Sequence, residues 1–436
     1  MDNLPAAPET IVRLVTRKLM PLLMLCYLIA YLDRSNISVA ALQMNADLGL
    51  TAQMYGIGAG LFYVTYVAFE VPSNVILARM GARLWIARIM ITWGLIACGM
   101  AFIQTPVQLY TMRLMLGAAE AGFTPGVIYY LSGWFPGSTR ARAMSWFFTA
   151  AVLASVVGLP ISGALLDLHG LMGWAGWRWL FFLEGIPAVL LGVVVLRMLP
   201  DRPAVAPWLS REQSTWIENQ IAAESSQNPS GKGGHHLSEA FSDPRVWLLS
   251  LFWLLQAFGT TGVTLFLPQI LKMVSGKSDF VVTLLAALPF LLACVLMHLN
   301  GRNSDASGER RLHLGIPLLL AGGLLTASVF VDSVPLSYGL LVAALAFNWA
   351  STPVFWAVAT RYVSAGVAGA GAIALINALA NLSGVGLPPL IGFLRDRTGS
   401  YDSSLLLVAA ALLAGGVLGL WLASPSVGRR QKSKDK

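Results

Sequence analysis

Asp33 and Arg34 lie side by side in the middle of an apolar stretch that runs from Leu19 to Leu42. An ionised group at the centre of a membrane-crossing helix costs about 2.5 to 3.5 kcal/mol on insertion scales, so the pair marks a working position. A second pair, Arg113 and Glu120, lies in the apolar stretch from Val107 to Tyr130. Seven residues apart, these two fall on nearly the same helical face, about 10 Å from each other along the axis. Two helices thus aim two cations and two carboxyls at a common interior. A guanidinium stays charged and offers a planar fork that fits a carboxylate with two hydrogen bonds, which assigns Arg34 to the carboxylate of an anionic substrate. Adjacent helical residues point about 100° apart, so Asp33 faces a different neighbour.

Desolvation in a membrane cavity favours a neutral carboxyl and a nearby arginine favours an ionised one, so alternating water access can switch protonation. Asp33 and Glu120 are accordingly read as the proton-handling groups, with Arg113 as the regulator of Glu120. The plainer alternatives are a static ion pair for Asp33 and mutual neutralisation of Arg113 and Glu120. Glu70 and Glu184 also fall within apolar stretches, toward opposite ends, and are read as helix-contact residues.

The elements that must hold these groups follow from composition. The chain has 436 residues, is 56% hydrophobic and only 11% charged, against about 25% charged in a soluble domain. Apolar runs of about 20 residues, long enough to span a bilayer, occur six times between Leu19 and Leu199 and six times between Val246 and Leu422. The reading is an all-α integral membrane protein: an N-terminal six-helix bundle over 1–199, a polar linker over 200–244, a C-terminal six-helix bundle over 245–425 and a basic tail over 426–436. A short helix is expected within the linker around Ser210–Ala223. With the N-terminus on the cytoplasmic side, 22 of the 29 Lys and Arg residues fall on that side and 5 on the other, which obeys the positive-inside rule. Both termini are therefore expected in the cytoplasm. The tail Arg429, Arg430, Lys432, Lys434 and Lys436 is read as facing anionic lipid, not nucleic acid.

The first apolar stretch continues through charged residues for a full span and has no small-residue cleavage site, so it is not a removable signal peptide. Cys26, Cys98 and Cys294 lack metal-like or disulfide spacing, and His235 and His236 sit in a Gly-rich loop, so no metal or cofactor is expected. The histidines assemble no enzyme-like site.

Residues Gly158-Leu159-Pro160, Gly163, Asp167 and Gly170 recur as Gly386-Leu387-Pro388, Gly392, Asp396 and Gly399. The fifth span thus corresponds to the eleventh, a repeat of six helices in parallel relation, as in transporters whose two halves rock about a midplane substrate site.

Several runs then carry a family resemblance: Tyr31-Leu32-Asp33-Arg34-Ser35-Asn36, Glu70-Val71-Pro72-Ser73-Asn74, Gly81-Ala82-Arg83, and Arg113 through Glu120-Ala121-Gly122-Phe123 with Pro125. Trp134-Phe135-Pro136, Trp177-Arg178-Trp179, Pro268-Gln269, Asn377 and Asn381 extend it. The chain resembles the anion:cation symporter family of the major facilitator superfamily, in the bacterial branch containing tartrate and 4-hydroxyphenylacetate permeases. The resemblance implies twelve transmembrane helices in two bundles and proton-coupled import of a small organic anion across the bacterial inner membrane. It also implies the carboxylate role of Arg34 and substrate contacts by Tyr66 and Asn377. Tyr63, three residues before Tyr66 and on the same face, and Trp356 in span ten complete the candidate pocket, with packing as their ordinary alternative. The superfamily's gating motif is matched by Arg79 and Arg83 after span two, with Ala78 where an acid is usual, and by Asp305 and Arg310 after span eight. These charges could equally serve topology alone.

The expected function is import of a tartrate-like dicarboxylate, an aromatic acid or a sugar acid with protons, by a single chain working as a monomer in lipid. A neutral-sugar carrier is the nearest competitor, because pockets of Asn and Tyr also suit sugars. A receptor that binds without translocating is the remaining class, although no signalling domain is appended.

Overall fold

The computed structural model describes residues 8–227, 244–362 and 367–422, and the regular elements among them are all helical. In chain order these are α1 (Pro8–Asp47), α2 (Ala52–Met80), α3 (Ala82–Gly99), α4 (Pro106–Glu120), α5 (Phe123–Ser132), α6 (Gly137–Leu166), α7 (Gly176–Met198) and α8 (Arg211–Gln227). They continue with α9 (Pro244–Ala257), a π-helical turn (Phe258–Val263), α10 (Thr264–Ser275), α11 (Asp279–Ser307), α12 (Arg311–Val329), α13 (Val334–Ala350), α14 (Thr352–Tyr362), α15 (Val367–Thr398) and α16 (Asp402–Leu422).

Eleven continuous helical stretches among the described residues are long and apolar enough to cross a membrane. The twelfth expected span, Val107 to Tyr130, is present but broken into α4 and α5. The cause is local. Ala121 leaves helical geometry at ψ 133°, and Gly122 takes φ 86°, a left-handed angle that a side chain would strain. A Cβ at Gly122 would also collide with Ser73 of α2. The helix therefore stops at Glu120, a break of the kind tolerated at membrane depth only where protein surrounds it.

The chain divides into two compact units, Met1–Asn36 with Val64–Lys232, and Ile37–Tyr63 with Gly233–Lys436. Within the first, α3 and α7 approach backbone to backbone. A Cβ on Gly94 would lie 2.9 Å from the carbonyl oxygen of Gly185, and one on Gly185 would lie 2.9 Å from that of Gly94. Lipid provides no hydrophobic drive for helix association, so such small-residue contacts hold the bundle. Within the second unit, α12 and α16 repeat the device, with the Gly315 position 2.8 Å from the carbonyl oxygen of Gly416. Span three on span six recurs as span nine on span twelve.

The second unit also explains Asp396 of the repeat motif. Its carboxylate accepts the backbone N–H groups of Ala52 at 2.9 Å and Gln53 at 2.8 Å, capping the first turn of α2 from a distant helix. Nearby, the Tyr55 hydroxyl donates to the Leu265 carbonyl at 2.8 Å, and Asn45 donates to Gln269 at 3.1 Å. Helix α8 occupies the part of the polar segment where a short helix is expected. His235, His236 and the basic tail lie outside the described residues.

Candidate substrate and proton site

Arg34 and Asp33 leave α1 in different directions, as their 100° separation requires. Arg34 Nε lies 2.5 Å from Glu120 Oε1, with side-chain exposures of 22% and 0%. The guanidinium also lies 4.8 Å from the centre of the Tyr66 ring, and Tyr66 is buried, an arrangement that supports a cation from the ring face. Asp33, buried, accepts from the Asn36 amide one turn on at 2.9 Å. Arg113 is buried too and acts electrostatically on both Asp33 and Glu120. Thus α1, α2 and the broken end of α4 bring Asp33, Arg34, Tyr66, Arg113 and Glu120 together in the first unit.

The partner of Glu120 is Arg34, 86 positions away in sequence. Arg113, about two turns earlier on the same helix face, acts on Glu120 electrostatically. Asp33 Oδ2 and Glu120 Oε2 are buried without a hydrogen-bond partner among the described residues. Together these groups set a guanidinium against a buried, titratable carboxyl in the first unit.

A further acid joins this cluster from α7. Glu184 is 5% exposed, accepts from the Ser162 hydroxyl of α6 at 2.6 Å and faces Asn36 and Asp33 of α1. Counting residues along its helix places it toward one end and says nothing of what crosses it there. The available signal was the charge itself, inside an apolar run. Glu70, on α2 one turn beyond Tyr66, also lies within the influence of Arg34.

The other candidate residues lie in the second unit. Tyr63 packs its ring on Gly384, where a Cβ would come within 2.5 Å. Asn377 and Asn381 are half-buried on α15. Trp356 of α14 is half-buried in an aromatic group, 5.2 Å between ring centres from both Trp253 and Phe355. Sequence reasoning missed a polar cluster here. Gln256 donates to the Asn348 carbonyl at 3.0 Å and to the Thr352 hydroxyl at 2.8 Å. The fully buried Asn348 side chain has no hydrogen-bond partner among the described residues and lies against Gly259 of the π-helical turn.

Of the motif charges, Arg310 pairs with Asp305 at 2.6 Å. Arg79 is exposed. Arg83 lies 3.6 Å from Asp201, whose carboxylate also accepts the Arg83 backbone N–H at 2.9 Å and so caps α3. Asp201 thus brings an acid to Arg83 from a segment 118 residues on. Beside Arg310, burial opposes charge on Glu309, but the Leu312 amide, the His313 ring and the Arg311 and His313 amides outweigh it and hold the carboxyl below its ordinary range.

A family model described as Major Facilitator Superfamily matches residues 23–372. A protein of Agrobacterium vitis named "Putative tartrate transporter" is 44% identical over 417 residues, covering 95% of this chain and 92% of that one. The "Quinolone resistance transporter" of Acinetobacter baumannii is 37% identical over 410 residues, covering 94% of each. A solved bacterial homologue of the human lysosomal transporter Spinster, inward-facing and unoccupied, aligns with a TM-score of 0.75 at 18% identity over 96% of both chains, a likeness of fold alone.

Proposed function

Since the chain belongs to the Major Facilitator Superfamily, and is a multi-pass membrane transporter rather than an enzyme, we propose that it imports a small organic anion together with protons, by alternating access. The observation that carries this reading is the buried Arg34–Glu120 pair. A substrate carboxylate and Glu120 compete for one guanidinium. When Glu120 takes up a proton, its hold on Arg34 weakens by a full charge and the fork is available to the substrate. When Glu120 loses that proton on the other side, it reclaims Arg34 and expels the anion. Asp33 is the second proton-handling group, and Arg113 biases both carboxyls. Tyr66, Tyr63, Asn377 and Trp356 supply hydrogen bonds and apolar cover to the rest of the substrate, and Arg79, Arg83, Asp305 and Arg310 act in gating.

The substrate class is a carboxylate: a tartrate-like diacid, an aromatic acid or a sugar acid. The name of one relative points the same way, since tartrate is a dicarboxylate. The setting is the inner membrane of a bacterium, both termini cytoplasmic, with one chain and its surrounding lipid as the working unit. A neutral sugar offers no charge to pair with Arg34, and that ranks a neutral-sugar carrier second.

The test is uptake into proteoliposomes of tartrate, 4-hydroxyphenylacetate and a sugar acid, with the outside made acidic. Accumulation of at least one acid that collapses with the pH gradient is expected. Uptake confined to uncharged sugars, or indifferent to the gradient, contradicts the proposal.

A further inference from the structure

Asp33 and Glu184 face the same amide. Asn36 donates to Asp33 Oδ1 at 2.9 Å and faces Glu184, which in turn accepts from Ser162 at 2.6 Å. Glu184 Oε2 is buried without a hydrogen-bond partner, and no cation forms an ion pair with Glu184 among the described residues. Asp33 and Asn36 from α1 and Ser162 from α6 face it, and the Cys98 thiol of α3 lies against the next residue, Gly185, and donates to the Phe182 carbonyl at 3.4 Å. The nearest arginine of its own helix, Arg178, is engaged with the Ala101 carbonyl at 2.6 Å. Arg113 and Glu120 act on Asp33 from α4.

Two carboxylates around one amide, the second with no cation paired to it among the described residues, cannot both be ionised without leaving a buried charge uncompensated. We propose that Glu184 is a third proton-handling carboxyl, coupled to Asp33 through Asn36, so that the two share a proton which moves with the transport cycle. Asp33 can be ionised against Arg113 while Glu184 holds the proton, and a proton arriving at Asp33 favours release from Glu184. Such a pair titrates as a unit. This rests on the proton-coupled reading given above, and it adds a coupling position outside the Arg34 and Glu120 exchange.

The experiment measures the proton-to-substrate ratio in proteoliposomes, from the pH gradient that just balances an opposing gradient of the transported acid. Glu184→Gln is expected to lower the ratio by one proton per substrate while counterflow exchange persists, and Glu184→Asp to restore it. In purified wild-type protein without substrate, the infrared absorption of neutral carboxylic acids is expected to include one component that Glu184→Gln removes. A ratio unchanged in Glu184→Gln, or no neutral-acid component lost, overturns the inference. Absence of pH-driven uptake in the wild type itself would instead sink the proton-coupled reading, so the two failures are distinct. Should Glu184→Gln not fold, Ser162→Ala decides through the same infrared absorption: a shift of one neutral-acid component supports the inference, and an unchanged neutral-acid spectrum overturns it.

Discussion

In the first unit α3 meets α7 at Gly94 and Gly185, and in the second α12 meets α16 at Gly315 and Gly416. The likeness stops at packing. Among the described residues, the buried charged side chains Asp33, Arg113, Glu120 and Glu184 all belong to the first unit, whereas the second buries Gln256, Thr283, Asn348, Ser351 and Ser383. Both halves of a repeat must solve the same problem of holding helices together in lipid, and small residues solve it twice. A charge at that depth is expensive and is kept only where it is used. The difference puts the buried charges in one half and buried neutral hydrogen bonding in the other, and in the proposed cycle the first handles charge and protons while the second handles the rest of the substrate.

The sharpest way to break this contrast is paired substitution. Arg34→Ala removes the cation and leaves Glu120 buried without it, and it should weaken binding of the transported acid by at least ~30-fold, equivalent to about 2 kcal/mol. Asn377→Ala removes one neutral hydrogen bond of about 1 kcal/mol and should cost about fivefold. Binding isotherms of purified protein measure both, and equal losses would dissolve the division of labour. The motif charges give a finer contrast. Asp201 both pairs with Arg83 and caps α3, so Asp201→Ala should cost about 1 kcal/mol in unfolding. Asp305, 71% exposed, makes only a surface pair, and Asp305→Ala should cost a few tenths of a kcal/mol. Denaturation in detergent reads the difference.

The smallest expected effect concerns Glu309. Its carboxyl is held below the ordinary range by amides and the His313 ring, so the stability it contributes is present above the ordinary carboxylate range and lost as pH falls through the lowered value. Glu309→Gln should therefore lower the melting temperature slightly at neutral pH and not at all in strong acid. A penalty that grows with acidity would contradict the assignment.

How much of this was legible beforehand follows from the physics of each signal. The spans could be read because about 20 apolar residues in a row have few other uses, and Asp33, Arg34 and Glu120 stood out because charge inside such runs is costly. The break after Glu120 was less visible, because Gly122 reads as one more membrane glycine until Ser73 is found against it. Pairing across helices was not legible at all. Arg113 and Glu120 share a helix face about 10 Å apart along the axis, but that Arg34 of α1 reaches the same carboxyl is visible only in the structure. Asp201 was not legible for the same reason, since its partner Arg83 lies on α3, and Glu184 is legible as a helix-contact residue but not as a neighbour of Asp33.

The central claim is that Glu120 and the substrate contend for Arg34, and equilibrium binding of the transported acid to Glu120→Gln at neutral pH tests it most directly. With the competitor neutral, the variant should bind the acid more tightly than wild type and lose gradient-driven accumulation while retaining counterflow. Weaker binding by Glu120→Gln, with accumulation intact, would contradict the account.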